Sequence, residues 1–562
     1  MSSIQHFDSV SLAAVAAELR SLGEGRIDKV GQPSAAELYL KFRAGGRNHR
    51  LYFNLRGPWA RAHLTARSLP NLPRPSAFVM LLRKYMEGAR LLRVEQPGLE
   101  RAIHLVVAGR DELGDPYERR LVVELIGSYA NAFLLDDRGV ILGLARPVTE
   151  EMCRIRQLGV GLPYAGPPVS SKASFLDATA SALGAAIAGD PAKGLAEHFS
   201  GLGRIAIAQL LSAAEPIADR HRVVETLGLA IANLRDGVFH PRWEAGPGWN
   251  YAMFWTRSVP PPSGPGASEI LDAYYTARET ESATASLRAR LVVEVEGRMS
   301  RTRDRLEAWE RQILESDRAD REREIGELIL ANLHRIAPGV ERVVVEDYFD
   351  PDLPQTTLSL DARLSPSENA QRYFRRARKL RAAREAVARL LAEGRETIAY
   401  EESVAVSIRQ AVDLEALQEI ARELSPPDPR SRQPEPPPRP LRFRSVDGLT
   451  ILVGKNNRQN DLLTFKIAGP RDLWLHAQNL PGSHVIVEAA DVPERTLREA
   501  AAIAAYFSAG REAGRVRVAY TLRKHVRKPR GARPGMVVYD HERTLLAEPD
   551  AALIEALRSE FA

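Results

Sequence analysis

The alternation of apolar and polar residues changes character along the chain. Short runs with a period of two, such as "AELYLKFRA" and "RRLVVELIG", occur within residues 1–168, while "SLAAVAAELR" and "SAFVMLLRKYMEGARL" have helical spacing. Residues 169–265 consist of short helical pieces, rich in Ala and Leu, that Gly residues separate. These patterns predict a mixed α/β N-terminal domain followed by a small helical module.

A heptad pattern dominates residues 266–424. Its apolar positions follow one another in steps of four and three: Val295, Met299, Thr302, Leu306, Trp309 and Ile313. This spacing is typical of a coiled-coil seam. The strand-like stretch "ERVVVEDYFDPDLPQTTLSL" interrupts it, and "SPSENAQRYF" then opens a second helix with a Ser start and an acid in its first turn. The pattern predicts a long antiparallel coiled-coil arm with a small strand tip, reaching ~60–80 Å at 1.5 Å per residue.

A Pro-rich stretch, "SPPDPRSRQPEPPPRP" (425–440), predicts an extended linker. Residues 441–562 then predict a final α/β domain, with strands near 441–446, 449–454, 462–467, 472–477, 484–488, 515–520 and 536–539 and a helix at 494–509. The fold class is therefore multidomain α+β.

The run "DLWLHA" in the last domain raises a question about burial. If it forms a strand, Leu473, Leu475 and Ala477 share one face, and Asp472, Trp474 and His476 share the other. Two interpretations stay open for the second face. Its aromatic rings could be exposed and stack on nucleic-acid bases, or they could pack under a neighbouring helix while the acid caps a turn. On the first interpretation, which we adopt as the prediction, Asp472, Trp474 and His476, together with His484, are candidate RNA contacts.

Composition narrows the class of protein. The 562 residues are 44% hydrophobic and 27% charged, and they contain a single cysteine, Cys153. One cysteine excludes an internal disulfide and a cysteine-built zinc site. No apolar run is long enough for a membrane span, and the N-terminus is amphipathic and unlike a secretory signal. We therefore expect a cytoplasmic protein.

Basic residues are concentrated in two runs, although the net charge is only +6. Residues 515–533, "RVRVAYTLRKHVRKPRGAR", and 372–384, "RYFRRARKLRAAR", contain no acid. Such runs attract polyanions, while a single run is as often a solvated face. Two of them favour nucleic acid, with Lys524, Arg527, Lys528 and Arg530 as candidate contacts.

Polar residues also gather in "GKNNRQND" (454–461), where Lys455, Asn457 and Arg458 could bind phosphates or base edges. The same residues fit a polar turn between strands, and the two interpretations are compatible. "FSGLGRIAI" predicts a tight turn into a helix start, which could bind phosphate or simply pack.

Motifs for an enzyme are missing from the sequence. There is no phosphate-binding Gly-Lys-Ser/Thr loop, dinucleotide fingerprint, His-Glu-x-x-His or Gly-x-Ser-x-Gly. His476 and His484 have no third ligand at a sensible spacing. We therefore predict no catalytic residue, no metal and no cofactor.

Several motifs resemble one known family. "VGKNNRQNDLLTFKIAGPRDLWLHAQNLPGSHVIV" and "YTLRKHVRKPRGARPGMVVYD" resemble the RNA-binding domain of the NFACT family, the RqcH/NEMF-type factors once called fibronectin-binding proteins. "FDSVSLAAVAAEL", "GRIDKVGQP", "LVVELIGSYANAFLLDD" and "GLPYAGPP" resemble its N-terminal domain. "FSGLGRIAI" lies where its helix-hairpin-helix module belongs, and "LSPSENAQRYFRRARK" resembles its returning coiled-coil helix. The resemblance covers essentially the whole chain.

The resemblance implies a factor of ribosome-associated quality control. Such a factor binds a stalled large ribosomal subunit that carries peptidyl-tRNA, and its N-terminal and helix-hairpin-helix domains grip tRNA. In bacterial members it recruits alanyl-tRNA for template-free C-terminal tailing of the nascent chain. The ribosome makes the peptide bond, so the protein is a scaffold, with no membrane partner and no small-molecule substrate.

The resemblance also implies site residues. Asp8 matches an early family Asp, and Glu100 with Arg101 stands where the family has an adjacent Asp-Arg pair needed for tailing. Arg26 and Arg83 are supporting candidates for tRNA contact. The longer Glu100 side chain makes tailing a less secure expectation than ribosome binding, since a shift near 1 Å in a positioned group can remove much activity.

The sequence leaves three alternative functions open. The first is a ribosome- and tRNA-binding factor without tailing activity. The family's N-terminal domain is similar in fold to formamidopyrimidine-type DNA glycosylases, but those use an N-terminal proline and this chain begins Met-Ser-Ser. A fibronectin-binding adhesin is a third alternative, for which we would expect a secretion signal.

Overall fold

The computed structural model describes residues 5–558 apart from 112, 150, 152–155, 169, 215–216, 247–248, 254–263, 317 and 426–438. The chain divides into two compact units, Met1–Glu279 and Thr280–Ala562. The predicted Pro-rich linker lies almost entirely outside the described residues. No described helix is both long enough and apolar enough to cross a membrane.

The first unit combines one large sheet with short helices. Its helices are α1 (Ser9–Ser21), α2 (Ala77–Met86), α3 (Ala180–Ala186), α4 (Pro191–His198), α5 (Arg204–Ala213), α6 (Arg220–Asp236) and the start of α7 (Ala267–Ser316). Its strands are β1 (Gly25–Gly31), β2 (Glu37–Ala44), β3 (Arg47–Asn54), β4 (Arg61–Leu64), β5 (Arg90–Glu95), β6 (Ala102–Arg110), β7 (Pro116–Glu124), β8 (Asn131–Leu135), β9 (Ile141–Leu144), β10 (Ala173–Ser174), β11 (Phe199–Ser200), β12 (Arg242–Gly246) and β13 (Trp249–Ala252).

The large sheet is an internal duplication. Its order is β4-β3-β2-β1-β5-β6-β7-β8-β9, so α1 with β1–β4 and α2 with β5–β8 form two halves that meet where β1 pairs antiparallel with β5. Each half contains the same short 3₁₀ turn, Gly57–Trp59 in "NLRGPWARAHL" and Gly127–Tyr129 in "ELIGSYANAFL". Gly57 and Gly127 have φ of +42° and +50°, a backbone region that glycine enters without strain.

One continuous core holds the sheet and the helical module together. Helix α1 contributes Val10, Leu12, Val15 and Leu19, all buried, and the module contributes residues such as Leu210. The predicted turn in "FSGLGRIAI" is present, because Gly201 has a φ of +94° and α5 begins three residues later. The segments predicted at 1–168 and 169–265 thus belong to one compact unit.

The second unit contains the arm and the C-terminal domain. Its helices are α8 (Arg318–Ala331), α9 (Pro366–Gln410), α10 (Leu414–Leu424), α11 (Asn457–Leu462), α12 (Glu494–Tyr506) and α13 (Ala551–Arg558). Its strands are β14 (Arg342–Glu346), β15 (Gln355–Ser359), β16 (Leu441–Arg444), β17 (Thr450–Val453), β18 (Leu473–Ala477), β19 (Val485–Val487), β20 (Val516–Leu522), β21 (Val526–Arg527), β22 (Val538–Tyr539) and β23 (Arg543–Ala547). The predicted α+β class is confirmed.

The arm follows the predicted pattern. Helix α7 is 50 residues long, which corresponds to ~75 Å at 1.5 Å per residue, and β14 pairs antiparallel with β15 at the predicted reversal. Helix α9 begins with a reciprocal cap: Ser365 Oγ accepts the Glu368 N–H at 3.3 Å, and Glu368 Oε2 accepts the Ser365 N–H at 2.8 Å. This arrangement satisfies two amide groups at the helix start.

The C-terminal domain is a six-stranded sheet in the order β16-β17-β19-β18-β20-β23, with the two-stranded ribbon β21-β22 beside it. The prediction of a strand near 462–467 is wrong. Asn456 accepts the Gln459 N–H at 2.9 Å and so starts α11, which continues into a π-helical turn at Leu463–Ile467.

Two glycines in the arm give a matched test of its packing. A Cβ on Gly394 of α9 would lie 2.7 Å from Leu306 Cδ2 and 2.9 Å from Trp309 Cζ3, whereas one on Gly297 of α7 meets nothing closer than 3.6 Å. We expect Gly297→Ala to stabilise its helix by about 1 kcal/mol and Gly394→Ala to destabilise the seam by about 1–3 kcal/mol. Hydrogen exchange of arm peptides should show opposite changes in protection. Equal protection gains in both variants would contradict the packed seam.

Candidate nucleic-acid interface

The first candidate site lies at the start of α1. Asp8 is the N-cap of this helix and accepts the Ser11 N–H at 2.8 Å. Burial raises the pKa of Asp8, and the Ser11 hydrogen bond and the positive charge of Arg101 oppose that shift. Asp8 is half-buried, and desolvation acts against the charged form of its carboxyl group.

Arg101 is the opposite charge of this site. It lies just before β6, where its carbonyl accepts the Leu125 N–H at 2.7 Å. Burial lowers the pKa of Arg101, and the charge of Asp8 opposes that shift. Its Nε is buried without a hydrogen-bond partner among the described residues. A buried donor without a partner is uncommon in folded proteins, and Nε of Arg50 and of Arg119 are in the same state.

The glycine turn before α5 lies next to Asp8. A Cβ on Gly203 would lie 3.8 Å from Asp8 Cβ, and one on Gly201 would lie 2.7 Å from Leu99 Cβ. Ser9 Oγ donates to the Gly201 carbonyl. Helix α5 begins after Gly203 without a side-chain cap, which leaves amide groups at its start available to an anion.

The other predicted tRNA contacts lie at different places in this unit. Glu100 is exposed. The carboxylate whose charge acts on Arg101 is that of Asp8. Arg26 is exposed on β1 opposite Arg43 and Arg90. Arg83 is half-buried, and its Nε donates to the Val30 carbonyl at 3.1 Å. Among the described residues, neither Arg26 nor Arg83 hydrogen-bonds or ion-pairs with Asp8 or Arg101.

In the C-terminal domain, the prediction of an exposed Trp474 is wrong. Its side chain is fully buried in a small second core with Leu452, Leu463, Ile486 and Val526. The opposite face of the same strand packs Leu473, Leu475 and Ala477 into the main core. Both faces of the sheet are covered, so Trp474 cannot stack on a base.

Asp472 and the two histidines support this second core. Asp472 accepts the Gly469 N–H at 2.7 Å and so caps a turn. His476 is half-buried and stacks on Trp474 with 5.8 Å between ring centroids. His484 is buried, and its Nδ1 is 2.7 Å from Thr464 Oγ1. The packing interpretation is the one that the structure shows.

Both histidines are neutral at physiological pH. Desolvation lowers the pKa of His476 to about 4 and lowers that of His484 well below its ordinary value of 6.5. A neutral imidazole offers no charge to a phosphate. His484 is buried, so the structure gives it a packing role, whereas an RNA contact of the half-buried His476 stays a prediction.

The loop that begins at Lys455 mostly makes hydrogen bonds within the second unit. Asn457 is buried, and its Nδ2 donates to Ser403 Oγ of α9 at 2.8 Å. Asn456 Nδ2 and Gln459 Nε2 donate to Glu419 Oε2 of α10 at 2.9 and 2.5 Å. The prediction of an RNA contact at Asn457 is therefore wrong, because its amide is used inside the unit. Lys455 is half-buried and Arg458 is exposed.

The basic run ends in the ribbon β21-β22 and its loop. Lys524, Arg527, Lys528 and Arg530 are all exposed. Arg527 binds Asp540 Oδ2 at 2.5 Å, and Lys528 Nζ pairs with Asp461. Exposed ion pairs of this kind are weak, so these cations can rearrange toward a polyanion.

Comparison with known families shows which family this chain belongs to. Residues 8–427 match the family described as "NFACT N-terminal and middle domains", and residues 439–540 match "NFACT protein RNA binding domain". The chain belongs to the NFACT family. The resemblance seen in the sequence is thus confirmed, and the ribbon cations lie inside the matched RNA-binding domain of this NFACT protein.

Two bacterial relatives match over nearly their full length, and a eukaryotic relative matches over a shorter segment. "Rqc2 homolog RqcH" of Bacillus subtilis (strain 168) is 31% identical over 550 residues, covering 95% of this chain and 96% of that protein. "Rqc2 homolog RqcH" of Streptococcus pneumoniae (strain ATCC BAA-255 / R6) is 32% identical over 569 residues, covering 98% and 99%. "Ribosome quality control complex subunit 2" of Schizosaccharomyces pombe (strain 972 / ATCC 24843) is 34% identical over 157 residues, covering 28% of this chain and 15% of that protein.

The buried histidines provide a pH test of the second core. Because folding lowers the pKa of His476 to about 4 and also that of His484, the unfolded chain binds more protons below pH 6.5, so the domain loses stability as pH falls from there toward 4. In histidine-selective NMR of the full chain, both imidazoles should stay neutral around pH 6.5. Titration of either one near 6.5 would contradict its desolvation in the second core.

Proposed function

We propose that this chain is a ribosome-associated quality control factor that binds large ribosomal subunits carrying peptidyl-tRNA and recruits a further tRNA. The names of its full-length relatives and the matched RNA-binding domain support the ribosomal setting. The observation that carries tRNA binding is the desolvated Asp8–Arg101 pair beside the uncapped start of α5.

The chemistry of this pair limits what can bind there. Arg101 and the first amides of α5 are donors, which suit a phosphate or another acceptor. The Asp8 carboxylate repels a phosphate and needs a donor, such as a ribose 2′-hydroxyl, a base N–H or an amine. A tRNA end offers both kinds of group within one nucleotide, whereas a simple anion offers only acceptors.

The ribbon of the C-terminal domain supports binding of the rRNA backbone. Its exposed cations are Lys524, Arg527, Lys528 and Arg530. Contacts of this kind are independent of base sequence, and each phosphate neutralised makes binding more sensitive to salt. Trp474 contributes to the shape of this surface from beneath it.

The same proposal extends to C-terminal tailing of the nascent chain. The ribosome supplies the peptidyl-transferase centre, so the chain acts as a scaffold that holds tRNA, with alanyl-tRNA as the expected species. A factor that binds the subunit and tRNA without tailing is the second candidate. The specific observation that favours it is Glu100, whose exposed carboxylate is one methylene longer than the family's Asp.

The first test removes the guanidinium of Arg101. Tagged full-length chain is isolated from its own cells and the bound RNA is sequenced, with the exposed, ion-paired Arg93 changed to Ala as the control. We expect Arg101→Ala to lower tRNA recovered per large-subunit rRNA at least about tenfold, equivalent to about 1.4 kcal/mol, because a charged hydrogen-bond donor is lost. Unchanged tRNA recovery would contradict the site.

A second test separates tailing from binding. We expect Glu100→Asp to lengthen C-terminal tails on a stalled reporter while leaving bound tRNA unchanged, because the carboxylate returns to the family position. Mass spectrometry of the reporter measures the tails, and Glu95→Asp is the matched control. If Arg101→Ala shortens the tails while Glu100→Asp leaves them unaltered, Glu100 does not limit tailing.

A further inference from the structure

Three potential metal ligands meet at the ribbon of the C-terminal domain. His525, Asp540 and His541 each offer one ligand atom, and these atoms all lie within 4.8 Å of one another. We call this group the ribbon cluster. His525 and Asp540 are partly buried, and His541 is exposed. His476 and His484 are not part of the cluster, and their rings contact Trp474.

Strand register brings the three residues together. Val526 pairs with Tyr539 in the ribbon, so His525 and Asp540 extend the ladder by one position on each strand. The Asp540 N–H donates to the His525 carbonyl at 3.2 Å. Thr521 Oγ1 lies 3.0 Å from the Asp540 carbonyl and 3.3 Å from that of His541. The backbone of the cluster is therefore fixed before any ligand arrives.

The donor spacing matches a tetrahedral metal site. His525 Nδ1 lies 3.4 Å from Asp540 Oδ1, longer than an ordinary N–H···O hydrogen bond of about 2.9–3.0 Å. Two donors bound to zinc at about 2.0–2.1 Å with a tetrahedral angle lie about 3.3–3.4 Å apart. The His525 and His541 ring centroids are 4.6 Å apart at 61°, so a small side-chain rotation brings both imidazoles onto one ion.

The carboxylate is also oriented from outside the cluster. Arg527 Nη2 binds Asp540 Oδ2 at 2.5 Å, while the other oxygen, Oδ1, is the one that faces His525. Metal-binding carboxylates are commonly held by a hydrogen bond of this kind. His541 has a φ of +54°, an uncommon region for a side-chain-bearing residue, which places its ring next to that of His525.

We propose that His525, Asp540 and His541 bind one divalent transition-metal ion, with Zn²⁺ the best match to two imidazoles and one carboxylate. Three protein ligands leave at least one coordination position open to solvent or to an oxygen ligand. The ion cross-links the side chains at the open end of the ribbon, whose connecting loop carries Lys528 and Arg530. This inference does not depend on the tRNA site.

The test uses full-length protein without a polyhistidine tag, stripped of metal and titrated with Co²⁺, whose visible absorption reports coordination by nitrogen and oxygen. Zn²⁺ affinity follows from competition. The variants are His525→Asn and His541→Asn, the latter because Asn accepts a positive φ. His221→Asn is the control, since His221 is exposed and lies 3.4 Å from a single carboxylate, that of Glu225.

We expect one equivalent of Co²⁺ to bind and Zn²⁺ to displace it. Each ribbon-cluster variant should weaken binding by at least about tenfold, with unchanged circular dichroism, and His221→Asn should bind as the unaltered chain does. Absence of saturable binding at one equivalent would overturn the proposal. So would unaltered affinity in both His525→Asn and His541→Asn.

Discussion

The first unit holds two opposite charges where water has limited access. Asp8 caps α1 and Arg101 precedes β6, and burial acts against the charged form of each. Such an arrangement is unfavourable unless the surrounding structure fixes it. The duplicated sheet does so, since α1 and the loop before β6 pack into one core, and the Gly201–Gly203 turn packs against them.

In the second unit, the main constraint is that both faces of the C-terminal sheet are covered. α12 covers one face, and α11, its π-helical turn and the ribbon cover the other around Trp474. The amides of Asn456, Asn457 and Gln459 join this domain to α9 and α10 of the arm. Polar residues that look available for RNA in the sequence are thus used to fix the domain on the arm, and the exposed cations of the ribbon are left for a polyanion.

Much of the fold can be predicted from local patterns in the sequence. The heptad spacing that includes Val295 and Thr302 predicts a buried seam, and both residues are buried. The Ser365 cap and the Gly201 turn are equally local. The alternation in "DLWLHA" correctly predicts two faces, but it cannot show that Val526 and Tyr539, far along the chain, cover the second one. For the same reason His525 and Asp540 become neighbours only through the register of the ribbon, and Asp8 and Arg101 only through packing of α1 on the sheet.

We propose that the Asp8–Arg101 site holds tRNA on the large ribosomal subunit. Cryo-electron microscopy of the full chain bound to large subunits from its own cells would show whether it does. We expect density for a tRNA against Asp8, Arg101 and the start of α5, with rRNA at the ribbon. A bound chain whose Asp8–Arg101 site faces solvent, or contacts only ribosomal protein, would contradict it.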